Sequence, residues 1–106
     1  MRQKIEVTNK TDESGNPTGG MVEGVGITIA WQDGPLGREP GRQQQNGAFV
    51  EGVIEAAIRR LMFFQESKFK CRENALAITK LEEALHWLDH RTKDRIEREV
   101  EGTHQI

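Results

Sequence analysis

The chain has 106 residues and a mass of 12.0 kDa, and its 15 Lys plus Arg against 17 Asp plus Glu give a formal net charge of -2. That length fits one domain and excludes a paired dinucleotide-binding fold, a kinase or a TIM barrel, and the charge balance speaks against a dedicated duplex-DNA binder. With 35% apolar residues and only 4 Phe and 2 Trp as aromatics, the core is lean, and a second copy of the chain is expected to complete it.

The opening Met1-Arg2-Gln3-Lys4-Ile5-Glu6 lacks the apolar run of a secretory signal, and no stretch is long and apolar enough to span a membrane. A cytoplasmic protein with no membrane partner is expected. Residues 4–9 alternate, with Ile5 and Val7 on one face, and predict a short strand. Residues 12–20 are dense in turn formers and predict an exposed connection. Residues 22–32 predict a longer strand, with Val25, Ile27, Ile29 and Trp31 on one face and the small Gly24, Gly26, Thr28 and Ala30 on the other. Two such strands are marginal alone, so the sheet must rest on other elements.

Composition shifts near Asn46. All three prolines (Pro17, Pro35, Pro40) and most glycines lie at or before Gly47, and helix formers dominate after it. Residues 33–45 predict a loop of about 13 residues, a length often tied to function or disorder. Asn46 then has the character of a helix N-cap. Val50, Ile54, Ala57, Leu61 and Phe64, widened by Val53 and Ile58, predict an amphipathic helix of about 20 residues, roughly 30 Å long. Ser67-Lys68-Phe69-Lys70 is the expected break. A second helix is expected from about Cys71 to about Arg98, carrying Ala75, Ile78, Leu81, Leu85 and Leu88, with Asp94 and Arg98 paired on its polar side. Gly102 stops it. The fold class is therefore α+β: a small N-terminal antiparallel sheet, then a long antiparallel helical hairpin that oligomerises. The expected organisation is a single domain, with strands and loop over 1–45 and the hairpin with its tail over 46–106. Met62, Phe63 and Trp87 are left over from the hairpin seam; the sheet can cover part of this surface, and a two-fold partner hairpin is expected to cover the rest.

Chemistry-bearing patterns are sparse. Glu82, His86 and His90 recur at intervals of four, a spacing that one helix face could offer to a metal, but no second ligand cluster accompanies them, a solvated or interface face is the better account, and no metal is expected. Cys71 is the sole cysteine, which excludes an intramolecular disulfide framework. At a helix start it reads as a small buried residue. No carboxylate pair, phosphate loop or dinucleotide fingerprint occurs, so neither a catalytic residue nor a cofactor is expected. Phe64 closes the first helix, Asn74 opens the second, and Arg91, Arg95 and Arg98 line its far end. Stacking, base-edge hydrogen bonds and charge pairing to a purine nucleotide need these residue types. A core Phe64, a capping Asn74 and solvated arginines account for the same residues. One hairpin holds Asn74 and Arg91 roughly 25 Å apart, so only an antiparallel dimer could unite them.

Several blocks together carry a resemblance. They are Asn46-Gly47-Ala48-Phe49-Val50-Glu51, the run from Cys71-Arg72-Glu73-Asn74-Ala75 to Leu85-His86-Trp87-Leu88, then Arg91-Thr92, and Val100-Glu101-Gly102-Thr103-His104. In this order they resemble the phage Thoeris anti-defence sponge family, which shares a helical hairpin domain with an anti-CBASS nucleotide sponge. The resemblance implies sequestration without catalysis in the cytoplasm of an infected host. The implied ligand is a cyclic ADP-ribose isomer made by a Thoeris TIR protein. A second site for cyclic di- or trinucleotides, and assembly as a homodimer or homohexamer, are implied as well. By position, Phe64, Asn74 and Arg91 match the ADP-ribose pocket, with Trp87, Arg98 and Thr103 beside them, while Arg72, with Arg38, is assigned to the second site. Where family members often carry Gly before the Val-Glu-Gly-Thr tail, this chain carries Glu99. An enzyme that degrades the signal and a helical adaptor for another protein are the competing expectations.

Overall fold

In the computed structural model, which describes residues 2–106, three strands precede two helices: β1 (Glu6–Thr11), β2 (Pro17–Gly24), β3 (Ile27–Ala30), α1 (Val50–Gln65) and α2 (Arg72–Glu97). The α+β class holds. The described residues divide into two compact units, one of Met1–Phe49 with Val100–Ile106 and one of Val50–Glu99.

In the first unit the strands form an antiparallel sheet in the order β1-β2-β3. The register places Val7 opposite Val22 and Val22 opposite Ile29, so one apolar residue from each strand lies in a row across the sheet. Val22, on the central strand, is buried, whereas Val7 on the edge is exposed.

Two expectations for the strands are corrected. Residues 17–20 are part of β2, and only residues 12–16 make the turn. Asp12 organises that turn: its carboxylate accepts the Ser14 and Asn16 backbone N–H groups at 2.9 and 3.0 Å and the Asn16 side chain at 3.2 Å. Once those bonds close the turn locally, the glycines that follow are free to pair in the ladder. The single strand expected over 22–32 is instead β2, a two-residue turn at Val25 and Gly26, and β3. Gly26 has φ +78, the left-handed conformation a type II turn needs at its third position. Val25 therefore leaves the apolar face and is 92% exposed.

The loop after β3 is held by its own side chains. Asn46 is not a helix cap, and α1 begins four residues later at Val50. The Asn46 carboxamide instead takes the Asp33 N–H at 2.9 Å and donates to the Asp33 carbonyl at 3.0 Å. Gln32 accepts the Asn46 and Gly47 N–H groups, and Trp31 bridges Ala48 in parallel. These bonds hold residues 46–48 extended along the end of β3, which competes with helix for the same backbone donors.

In the second unit α1 and α2 form the expected hairpin. An ion pair between Glu51 in the first turn of α1 and Arg91 late in α2 shows the antiparallel course. At the opposite end Gln65 donates to the Cys71 carbonyl and accepts the Cys71 N–H, both at 3.0 Å, closing the break. Ser67 caps the exit of α1 by donating to the Phe64 carbonyl at 2.6 Å. The sheltered stripe of α1 runs through Ile54, Ile58, Leu61 and Phe64, and that of α2 through Asn74, Ile78, Leu81, Leu85 and Leu88. Ala57 and Ala75, expected on those stripes, are exposed. Ile58 is the one buried residue of α1 and α2 contains none. The seam is thin, and Met62, Phe63 and Trp87 are exposed beyond it, as the sequence predicts. No described helix is long and apolar enough to cross a membrane.

Candidate functional site

The expected site residues fall into separate groups. Phe64 lies in the last turn of α1, and Arg72 and Asn74 lie in the first turn of α2, so all three belong to the turn end of the hairpin. Phe64 and Asn74 are half-buried on the sheltered stripes, whereas Arg72 is exposed. Asn74 does not cap the helix: the N-cap is Cys71, in extended backbone with φ -154, and no side chain caps it. Cys71 itself is exposed, against the expectation of a buried small residue. Its backbone is pinned by Gln65 at the edge of the hairpin, which leaves the thiol outside the seam.

Trp87 and Arg91 stand one turn apart on the exposed side of α2 toward the open end. Trp87 is 69% exposed and sits between His86 and His90, with edge-on ring pairs at 6.2 and 6.0 Å. Arg91 meets Glu51 only at 3.9 Å, with 61% of its side chain exposed. Asn74 and Arg91 are separated by about 25 Å of helix. A single hairpin thus keeps the aromatic and amide end apart from the arginine end. Arg98 caps α2 at its C-terminus and pairs with Asp94 at 3.0 Å, as its spacing predicts.

Thr103 and Arg38 lie in the first unit. The Thr103 hydroxyl donates to the Val100 carbonyl and accepts the Gln105 N–H, which fixes the tail turn. Arg38 is exposed in the loop between β3 and α1. That loop is tied to the tail by Arg42, whose guanidinium forms a two-point fork with the Glu101 carboxylate at 2.6 and 2.8 Å. Glu101 holds the Arg42 proton more firmly than usual, through the hydrogen bonds first and its charge second. The Gly37 N–H donates to the Gly102 carbonyl at 2.6 Å.

Sequence reasoning missed one cation. The Arg60 guanidinium lies 5.0 Å from the ring centroids of both Phe63 and Phe64. The signal was available, because Phe63 and Phe64 follow Arg60 by three and four residues, the spacing of helix neighbours. No group of three or more His, Cys, Asp or Glu among the described residues could hold a metal ion. Glu82, His86 and His90 lie on exposed positions of α2.

Comparison with known proteins places these residues in context. The family model described as Acb2/Tad1, hairpin domain, matches residues 23–93. The chain is also 54% identical over 78 residues to a protein of Bacillus phage SBSphiJ7 named Thoeris anti-defense 1, covering 74% of this chain and 52% of that protein. The chain therefore spans about half the length of that relative. The matched region contains the whole of α1 and most of α2, with Phe64, Asn74, Trp87 and Arg91.

Proposed function

The chain belongs to the Acb2/Tad1 hairpin-domain family, and from that premise we propose that it is an anti-Thoeris sponge. It binds a cyclic ADP-ribose isomer made by a Thoeris TIR protein and keeps it from the effector without degrading it. The observation that carries this reading is the 54% identity to a protein named Thoeris anti-defense 1. The infected cell's cytoplasm, where the signal is made, is the place of action.

The chemistry of the hairpin supports the same reading. Phe64 supplies a ring for the purine, Asn74 an amide for the base edge, and Arg91 a fork for the phosphates. Arg98 adds a further cation, and Trp87 an exposed aromatic surface. No nucleophile or general base is assigned, in keeping with a protein whose task is slow release. Competition with the effector depends chiefly on the off-rate. A mildly acidic protein can do this, because two phosphates need only local cations.

The site is completed by a second copy. A lone hairpin separates Asn74 from Arg91 by about 25 Å, and an antiparallel neighbour brings one turn end beside the other open end. Exposed Phe63 and Trp87 give that neighbour an apolar surface to cover. Such dimers can assemble further into hexamers. Arg72, exposed at the start of α2, is assigned to a second site for cyclic di- or trinucleotides.

The test is capture and release. Purified protein is incubated with a cyclic ADP-ribose isomer, freed of excess ligand and heat-denatured, and the released molecule is identified by mass spectrometry. Intact isomer is expected. Linear ADP-ribose would identify an enzyme, and an empty protein would end the reading.

A further inference from the structure

Arg60 differs from the ion-paired cations of the hairpin, and unlike Lys68, which stands over Phe69 alone, it faces two rings. Its neighbour Arg59 is paired with Glu55 at 2.8 Å, Lys80 with Glu83, Lys93 with Asp89 and Arg98 with Asp94. Arg60 has no carboxylate partner among the described residues, and two aromatic rings take that place. Phe63 and Phe64 meet edge to face, with centroids 5.9 Å apart and planes at 72°. The guanidinium stands 5.0 Å from each centroid, inside the range where a ring face attracts a cation.

Such a contact occupies the ring faces but leaves the N–H donors around the rim of the guanidinium unused. At an exposed site it is weak, about a two- to five-fold factor in equilibrium. A charge-assisted fork to a phosphate is stronger and is the interaction that Arg geometry fits best. A purine seeking the Phe64 ring and a phosphate seeking a cation would therefore both displace the same contact, one by competing for the face and the other by attracting the charge.

The geometry points to Arg60 as a further ligand-binding residue: in the free protein it covers the Phe63 and Phe64 faces, and on binding it yields them to the base and turns to a phosphate of the same ligand. This inference rests on the reading of Phe64 as part of a nucleotide site. The exchange keeps the aromatic pair from being left bare before the ligand arrives. It also makes binding depend on base and phosphate together, because a ligand lacking the phosphate must displace Arg60 without giving its charge a new partner.

The experiment uses the full chain as wild type, Arg60→Ala and Arg60→Lys, with a cyclic ADP-ribose isomer as the probe. Calorimetry reads affinity, and nuclear magnetic resonance follows the Arg60 Nε–H. In the free wild type that proton is expected to be shielded by the rings, and to move downfield on saturation as the guanidinium leaves them. Arg60→Ala is expected to weaken binding about tenfold, the scale of one hydrogen-bonded charge contact, with an unchanged helical spectrum. Arg60→Lys falls between, retaining charge without the fork. Binding of Arg60→Ala within two-fold of wild type, or an Arg60 resonance that does not move at saturation, overturns the inference while leaving the sponge reading intact. A wild type that captures no isomer overturns both.

Discussion

Arg42 and Glu101, 59 positions apart in sequence, form a two-point ion pair that ties the long loop to the C-terminal tail. The fork sits beside two backbone links, Gly37 N–H to Gly102 and Gln43 N–H to Leu36, each at 2.6 Å. A planar guanidinium matches a carboxylate at two points, which a lysine cannot do. Arg42→Lys is therefore expected to loosen the tail although it preserves charge. Hydrogen exchange at Gly37 should accelerate at least about three-fold relative to wild type, with β-sheet amides unaffected. Unchanged protection at Gly37 would show that the Gly37–Gly102 backbone link holds the tail without the fork.

The chain between α2 and that tail contains a strained residue. Glu99 has φ 60, a left-handed conformation that costs a residue with a Cβ about 1–2 kcal/mol. It stands just past the helix end, where glycine is the usual terminator. Glu99→Gly removes the strain but frees the unfolded chain, so the net gain is expected to be about 1 kcal/mol. Urea unfolding at constant m-value reads it. The converse holds at Gly102, where φ is +77 and a Cβ would collide with the Gly37 carbonyl. Gly102→Ala is expected to cost at least about 2 kcal/mol.

Acid pH should act on the first turn. The Asn16 backbone N–H, the Asn16 side chain and the Ser14 N–H bond the Asp12 carboxylate and, in that order, hold it below its ordinary value of 3.8, aided by the charge of His104 and opposed by slight desolvation. A carboxyl depressed in the folded state contributes stability that is complete above the unfolded value and is lost as pH falls through the folded value. Carbon-13 titration of the Asp12 carboxyl should give a midpoint below that of free aspartate. Asp12→Ala should flatten the acid limb of the stability profile in that window, and a normal Asp12 midpoint would remove this account.

The helices were legible because a 3.6-residue period sustained over many residues outweighs local exceptions. The break at residues 67–70 and the stop before Gly102 were legible from the same pattern. The sheet was less so. Alternation runs unbroken through Val25 and Gly26, so the turn between β2 and β3 is invisible to a period-two reading, and Gly19 and Gly20 resemble turn residues while pairing in a strand. Asn46 has the right character for a helix cap, yet its partner Asp33 is 13 residues upstream, beyond any local rule. The same is true of the Arg42–Glu101 fork. For the candidate site, residue order sufficed to put Phe64 and Asn74 at one end and Arg91 at the other. Arg60 was discoverable from its spacing to Phe63 and Phe64, but a charged residue on a helix surface carries no mark of what it covers.

Oligomeric state is expected to respond to Trp87. Its indole is largely exposed in a single chain, so an acidic replacement disturbs little within the hairpin. At a covered interface the same change buries an unpaired charge. Trp87→Asp should therefore keep the helical circular dichroism of wild type and shift sedimentation from dimer or larger species to monomer. A wild type that sediments as a monomer at micromolar concentration would remove the second copy from the site.

Arg91 offers the cleanest separation of binding from folding. Its ion pair with Glu51 is long at 3.9 Å, and 61% of the side chain is exposed; surface pairs of this kind contribute roughly 0–1 kcal/mol. Arg91→Ala should therefore unfold within about 1 kcal/mol of wild type. If its guanidinium holds a ligand phosphate, the same change removes a charge-assisted fork and leaves a desolvated phosphate unpaired, a loss of at least about 100-fold in affinity. Calorimetric titration with a cyclic ADP-ribose isomer, paired with urea unfolding, reads the two effects independently. Near wild-type affinity in a stably folded Arg91→Ala protein would place the phosphates elsewhere. Lost affinity together with a large drop in stability would instead make Arg91 a structural residue. Only weak binding in an otherwise stable protein satisfies the proposal.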